Sequence, residues 1–401
     1  MLTWIAAATL LAWLILMFAR GGFWRTRPAA VPSAPEPEVW PHVVVVVPAR
    51  NEAAAIGATL KSLRAQDYPG ILSVIVVDDC SSDGTAAAAR DAAGGMARFT
   101  LIRGRPRQPG WTGKLWALQQ GLLYAKVHEP AAEWLWFTDA DIVHAPDVLR
   151  RLIAKAESNG LALVSLMVRL SCDGRVARLL IPPFVFFFQK LFPFAWVNDP
   201  QHRLAAAAGG CLLVRHEAFR RAGGLSAIRS HLIDDCALAA AVKPRGPIWL
   251  GLALTSYSRR QYPRLGDVWA MVVRTAYSRL GFSPLRLVLC VVGMLLAYQA
   301  PWIVTVEAVY SGAPIAGALG VAAMLLMLRC YAPTVSSFGL PAVWGLTLPL
   351  AAMAYTLMTV DSARRHWLGY GGAWKGRTFP AQRAEAHPPA SRRRRSLEAD
   401  T

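Results

Sequence analysis

The sequence predicts an α/β protein with a doubly wound, mostly parallel sheet, tied to a membrane on both flanks. Between residues 42 and 168, β-branched runs alternate with helix-patterned segments, as in a parallel sheet covered by helices on both faces. Outside that stretch lie long apolar runs without charge. The composition agrees: 54% of the 401 residues are hydrophobic and only 17% are charged, where soluble domains carry about 25% charge. That argues against disorder and against a small disulfide scaffold. Six cysteines without a Cys-x-x-Cys pair argue against a zinc site. The chain is also basic, with 43 Lys and Arg against 25 Asp and Glu, a formal charge of +18. These cations are spread over membrane flanks and tail rather than gathered with aromatic readers on one module. A membrane, and no nucleic acid, is therefore the expected partner.

Residues 2–19 are apolar and uncharged, and Arg20, Arg25 and Arg27 follow. A cleaved signal peptide has the reverse charge order, so residues 1–20 read as a retained anchor with its C-terminal flank in the cytoplasm. Residues 21–41 include a proline-rich spacer. Residues 42–283 form the aqueous domain. Its first strand is His42–Pro48, with five consecutive valines, followed by a helical pattern over 52–65. Further strands are expected at Ile71–Val77, Phe99–Ile102, Glu133–Thr138 and Leu161–Val168. Ser82–Asp83 can cap one helix, and Thr112 another over Gly113–Lys126. Arg264–Leu280, and the Phe- and Trp-rich Leu179–Val197 broken by proline, read as amphipathic segments at the bilayer interface, with a core-facing helix as the alternative for the former.

The region 284–361 holds three further apolar runs, 287–306, 312–328 and 337–360, before a basic tail at 362–401. The topology carries a conflict. An anchor that leaves the aqueous domain in the cytoplasm, followed by three crossings, puts the tail outside. Yet the tail carries Arg364, Arg365, Lys375, Arg377 and the run Arg392–Arg395, which belong inside. Either one segment is re-entrant or the charge rule fails.

Open α/β sheets bind ligands beyond the carboxyl ends of their strands. Those ends are polar here: Pro48-Ala49-Arg50-Asn51-Glu52, then Asp78-Asp79-Cys80-Ser81-Ser82-Asp83-Gly84, then Thr138-Asp139-Ala140-Asp141. Any one acidic residue could be a helix cap or turn residue; three such ends together point to a site. Neither a Gly-x-Gly-x-x-Gly nor a P-loop signature is present. Asp139-x-Asp141 suits a hard divalent cation, Mg²⁺ or Mn²⁺, which keeps positions for substrate phosphates and can neutralise a diphosphate leaving group.

In that order, Pro-x-x-Asn-Glu, Asp-Asp-x-Ser-x-Asp-Gly-Thr, a Gly-Lys helix start, Asp-x-Asp and Asp234-Asp235 resemble the family 2 glycosyltransferases of GT-A fold over about residues 40–280. Trp-Thr-Gly-Lys-Leu-Trp-Ala at 111–117 and Gly-Gly-Ala-Trp-Lys-Gly-Arg-Thr at 371–378 resemble the hopanoid-biosynthesis-associated (HpnB) type. The resemblance implies that Pro48, Arg50, Glu52, Asp78 and Asp79 line the nucleotide site, with Asp79 taking a hydrogen bond from uracil. It implies that Lys114 approaches the phosphates and that Asp139 and Asp141 form the metal motif. Gly209 and Gly210 would let backbone approach the donor sugar, and Asp235, with Asp234 beside it, would be the general base. Helix capping is the alternative for Asp235. Polymerising relatives carry Gln/Arg-x-x-Arg-Trp, whereas this chain matches only its first position, in Arg274-Thr-Ala-Tyr277-Ser278. Arg274 is thereby a phosphate-facing candidate, and single-sugar transfer from a nucleotide sugar to a lipid at the inner membrane is the expectation. A processive synthase and a non-catalytic nucleotide-sugar scaffold are the rivals.

Overall fold

The computed structural model describes residues 1–370. Within them one sheet of eight strands forms: β1 (Val43–Ala49), β2 (Leu72–Asp78), β3 (Phe99–Arg103), β4 (Trp134–Phe137), β5 (Ile142–His144), β6 (Leu163–Arg169), β7 (Leu212–Arg215) and β8 (Ile248–Ser258). Their order is β3-β2-β1-β4-β7-β6-β8-β5. β1 pairs in parallel with β2 and β4, and β2 with β3. β7 is antiparallel to β4 and β6, β8 is parallel to β6, and β5 closes the edge antiparallel to β8. The sheet is thus mixed, a GT-A-like half-barrel with helices on both faces.

The valine run explains why β1 sits centrally. All five valines are fully buried. Val44 and Val46 face a core that includes Leu115 and Leu118 of the helix Gly113–His128; Val43, Val45 and Val47 face Ile56 and Leu60 of the helix Ala53–Arg64. Alternating side chains take opposite faces, so a strand apolar at every position needs helices on both sides. The closest approach is at Gly121, where a Cβ would meet Val46 at 2.5 Å.

The five expected strands form within one or two residues. β5 and β7 are three and four residues long and carry no readable period. The proline-rich segment before β1 is strapped to the domain: the Ala29 N–H donates to the Leu252 carbonyl at 3.2 Å, and Val31 is buried. Helix Gly174–Leu191 runs through Pro182 and Pro183, and the break falls at Pro193. Helix Leu265–Val273 follows β8, and Val268, Val272 and Val273 pack into the apolar cluster of the membrane helices.

Among the described residues, three helical segments are long and apolar enough to cross a membrane: Pro284–Tyr310, Pro314–Ser337 and Ala342–Trp367. The apolar helix Leu2–Phe18 packs beside them, donating from Thr9 Oγ1 and Trp13 Nε1 to the carbonyls of Leu296 and Ala297 at 2.8 and 2.7 Å. The 371–378 motif and the run Arg392–Arg395 lie outside the described residues.

Candidate active site

Parallel strands β1, β2 and β4 end at one rim, and the loops after them hold one another. Asn51 donates its backbone N–H to Ser81 Oγ and accepts from Ser82 N–H through Oδ1, at 3.0 and 2.9 Å. The Glu52 N–H donates to Thr85 Oγ1 at 2.8 Å. Asp83 caps both following helices, accepting from Ala53 N–H at 3.0 Å and Thr85 N–H at 3.1 Å. Asn51 and Cys80 have φ of +50° and +55°, tight turns that this bracing supports. Part of the polar signal at these strand ends is therefore architectural.

Asp79 is wholly buried, and Asp78, which accepts from Ser81 N–H at 3.0 Å, is nearly so. The Arg50 guanidinium donates to the Asp79 carbonyl and lies 3.9 Å from the Asp79 carboxylate. Pro48 lines the adjoining cleft.

Lys114 opens the helix Gly113–His128, with Thr112 Oγ1 accepting from Leu115 N–H at 3.4 Å. Its ammonium lies 2.8 Å from Asp139 and 3.5 Å from Asp234. Burial would lower the lysine, but Asp139, Asp234 and Asp235 together hold it above its ordinary value. Asp234 and Asp235 occupy the first turn of the helix Asp234–Val242. Asp235 accepts from Gly209 N–H at 2.8 Å through one oxygen and from Cys236 N–H at 2.7 Å through the other. Burial and the Asp234 charge push its carboxyl up to about 6, against Lys114 and these two donors. Burial likewise raises Asp139.

A Cβ on Gly209 would lie 2.9 Å from Lys114 Nζ and 3.5 Å from Asp235 Oδ2. A side chain there would push the lysine ammonium, the mobile tip of its chain, out of the cluster. Gly210 is tight for another reason: a Cβ there would meet Val168 at 2.9 Å and Ile142 at 3.5 Å, so its approach is to the sheet. The cleft between these groups, about 340 Å³ out to its open mouth, is lined by Pro48, Lys114, Thr138, Asp139, Gly209, Asp234 and Asp235 above a floor that includes Leu115, Leu118 and Phe137.

Asp141 accepts from Ser258 Oγ at 2.7 Å, and its carbonyl takes the Arg259 N–H at 2.8 Å, fixing it to the end of β8. Tyr262, just after β8 and raised by burial, lies within electrostatic range of Arg260, Asp141, Arg274 and Asp139.

Several residues here carried no motif. Thr138 Oγ1 donates to the Gly210 carbonyl at 2.9 Å and lies 2.9 Å from His144 Nε2; His144 Nδ1 lies 3.0 Å from Ser256 Oγ. Thr138 has one proton, already given to Gly210, so His144 donates from Nε2 and accepts from Ser256 at Nδ1. Burial pushes His144 down to about 3, which keeps it neutral. This chain ties the strand carrying Asp139 to the loop holding Asp235.

Residues 44–223 match the sequence model of the glycosyl transferase family 2. That match runs from β1 through β7 and takes in the rim residues at the ends of β1, β2 and β4. An N-acetylglucosaminyltransferase of Mesorhizobium japonicum is 30% identical over 156 residues, 37% of this chain and 34% of that protein. The succinoglycan biosynthesis protein ExoO of Rhizobium meliloti is 34% identical over 141 residues, 35% of this chain and 37% of that protein. The chain thus matches about a third of the length of these curated relatives. The mannosyltransferase PcManGT from Pyrobaculum calidifontis, solved with GDP-Man and Mn²⁺, superposes with a TM-score of 0.55 at 22% identity, over 88% of this chain and 99% of that one. At that identity the likeness is one of fold. Lys114, Asp139, Asp234 and Asp235 form one cluster, and Asp141 is fixed beside the end of β8.

Proposed function

We propose that this chain is a membrane-bound, inverting glycosyltransferase that moves one sugar from a nucleotide sugar, a UDP-sugar, to the hydroxyl of a lipid, with a hopanoid as the acceptor class. The observation that carries the reading is Asp235. It is a half-buried carboxylate, oriented through both oxygens, with a raised proton affinity, beside a lysine and the Asp-x-Asp motif.

Asp235 takes the acceptor proton as that oxygen attacks the anomeric carbon. The new C–O bond forms while the bond to the diphosphate breaks, and the diphosphate leaves with the electron pair. A base titrating near 6 is ionised at neutral pH yet basic enough to help a hydroxyl. Single displacement inverts the anomeric centre. The Lys114 ammonium sits where a phosphate oxygen can exchange for the Asp139 carboxylate it now holds. Arg50 braces the nucleotide-side loop through the Asp79 and Cys80 carbonyls.

Among the described residues no three His, Cys, Asp or Glu side chains converge as a ready-made ion cage. The donor set still fits Mg²⁺ or Mn²⁺, which take one or two carboxylates and complete their shell with phosphate and water. Asp139, about one-third exposed, and Asp141, half-buried at the end of β8, supply those oxygens. When bound, the ion supplies positive charge to the departing diphosphate.

The lipid acceptor and the HpnB type rest on the flanking motifs and on the apolar helices beside the domain. The similarity to ExoO favours a second reading, synthesis of a longer glycan. Product analysis separates them. Purified protein receives UDP-sugars, Mn²⁺ or Mg²⁺ and a hopanoid-containing lipid extract, with Asp235→Asn as control. One added sugar mass, lost in the variant, supports the proposal. A ladder of masses supports polymerisation. Metal-dependent UDP binding without product in any mixture supports the scaffold.

A further inference from the structure

We infer that the apolar segment 338–367 enters the bilayer from the catalytic side, turns at mid-depth and leaves on the same side, occupying one leaflet instead of crossing. Length and composition alone would let Ala342–Trp367 span. Its contacts place it otherwise.

Helices Pro284–Tyr310 and Pro314–Ser337 define the depth scale. Leu287 clusters with Tyr277, which follows the interfacial helix Leu265–Val273, and so marks the catalytic level. Phe338 marks the same level on the other helix: it packs against the core of the catalytic domain, with the Arg169 guanidinium over its ring at 6.0 Å. The turn at 311–313 is the far level, where Ala313 and Leu2 share a cluster.

The chain leaves the catalytic level at Phe338. At Gly345 it lies against Leu328, about 13 Å down the helix from Ser337 at 1.5 Å per residue. The Pro349 carbonyl accepts from Gln299 Nε2 at 2.8 Å, about 18 Å down from Leu287 by the same rise. Then the helix climbs. Tyr355 donates to the Leu180 carbonyl, Asp361 accepts from Trp269 Nε1 at 2.8 Å, Ser362 accepts from Tyr277 N–H at 3.0 Å, and Ala363 packs on Leu287. From Pro349 to Ala363 the rise is about 21 Å, which returns the chain to its starting level. A true crossing of about 30 Å of hydrocarbon would carry Ala363 to the 311–313 turn.

The energetics agree. Irregular backbone at membrane depth survives only where protein covers it, and Phe338, Leu340 and Trp344 pack into the membrane cluster. The outer face, Val343, Leu346, Leu350 and Leu357, is exposed and apolar, as acyl chains require. Arg364 and Arg365, paired to Asp361 at 2.7 and 2.9 Å, emerge on the catalytic side. With three crossings, Leu2–Phe18, Pro284–Tyr310 and Pro314–Ser337, the positive-inside conflict in the sequence disappears.

The test uses the full chain in sealed membrane vesicles, with a peptide tag after Thr401. Protease added outside should remove the tag in the same vesicles in which it digests the catalytic domain. A second tag, between Ser311 and Gly312, should be protected there. A C-terminal tag protected while the catalytic domain is digested overturns the inference, and that arm stands even if the loop insertion fails to fold. Nitroxides at Leu346→Cys, Leu350→Cys and Val360→Cys, in nanodiscs and with accessible native cysteines replaced by serine, check depth. Positions 346 and 350 should be deepest and 360 shallower in the same leaflet. Passage through the bilayer centre to the opposite leaflet at 360 overturns the inference.

Discussion

Asp235→Asn separates catalysis from architecture, because the two roles predict opposite signs for stability. The ordinary carboxyl value of 3.8 becomes about 6 at this position through burial and the Asp234 charge, a net effect that already includes the attraction of Lys114. The folded protein therefore holds a proton that the unfolded chain releases between about pH 4 and 6. Stability contributed by the protonated form is full below that window and lost as pH rises through it. At neutral pH the ionised group costs the fold up to about 3 kcal/mol, at 1.36 kcal/mol per unit. Asparagine stays neutral and keeps one acceptor for Gly209 or Cys236. The variant should melt higher than wild type at pH 7 and lack the fall in stability between pH 4 and 6. Turnover should drop by about 10² to 10⁴, the usual worth of a general base, with UDP affinity unchanged. The wild-type kcat should fall on the acid side, through about pH 6. The assays are thermal melts across pH, UDP titration and sugar transfer. If Asp235 merely compensates the helix dipole, Asn lowers stability by about 0.3–1 kcal/mol and leaves turnover intact; that pair of results would refute the reasoning.

Thr138→Val keeps the shape but strands the Gly210 carbonyl and the His144 N–H, so stability should fall by about 1–3 kcal/mol in a urea titration, with kcat lowered more than donor affinity. Lys114→Met leaves Asp139, Asp234 and Asp235 without their ammonium. Because Asp139 is one-third exposed, the loss should be about 1–3 kcal/mol, below that of a fully buried pair, and donor KM should rise at least tenfold. EDTA should abolish transfer and Mn²⁺ or Mg²⁺ restore it. Asp139→Asn with Asp141→Asn should remove that restoration while strengthening UDP binding in EDTA, as calorimetry would register.

The parallel half of the sheet was legible because each strand is apolar throughout and ends in a polar cluster. Val43–Val47 could be buried only by helices on both faces, and those helices carry the expected patterns. Residues 206–215, small and then apolar, could be read either as a backbone approach to a donor sugar or as an ordinary turn before a strand, and a turn and a strand form. β7 runs four residues, antiparallel between β4 and β6, and its small-residue approach serves Asp235 through the Gly209 N–H rather than any local period. The site divides the same way. Asp139 announced itself in an Asp-x-Asp at a strand end, while Lys114, Asp234 and Asp235 entered through the resemblance carried by the order of motifs. Thr138, His144 and Ser256 did not, since their value lies in a buried chain across three strands. Asn51 and Asp83 show the converse: they stand within motifs, but their observed work is to brace two loops.

The proposed cation would also meet a charge imbalance in the cleft. Asp139, Asp234 and Asp235 surround a single ammonium, and Asp141 adds its charge to Asp139. A nucleotide diphosphate entering that cleft meets net negative charge at its most acidic end. Lys114 cannot serve both partners: turning to a phosphate would uncover Asp139. Asp139 and Asp141 would hold a divalent ion, whose positive charge would offset theirs and leave Lys114 available to a phosphate. The same balance leaves Asp235, which shares Lys114 without a close ion pair and is held by backbone N–H groups, with the raised proton affinity that a base requires.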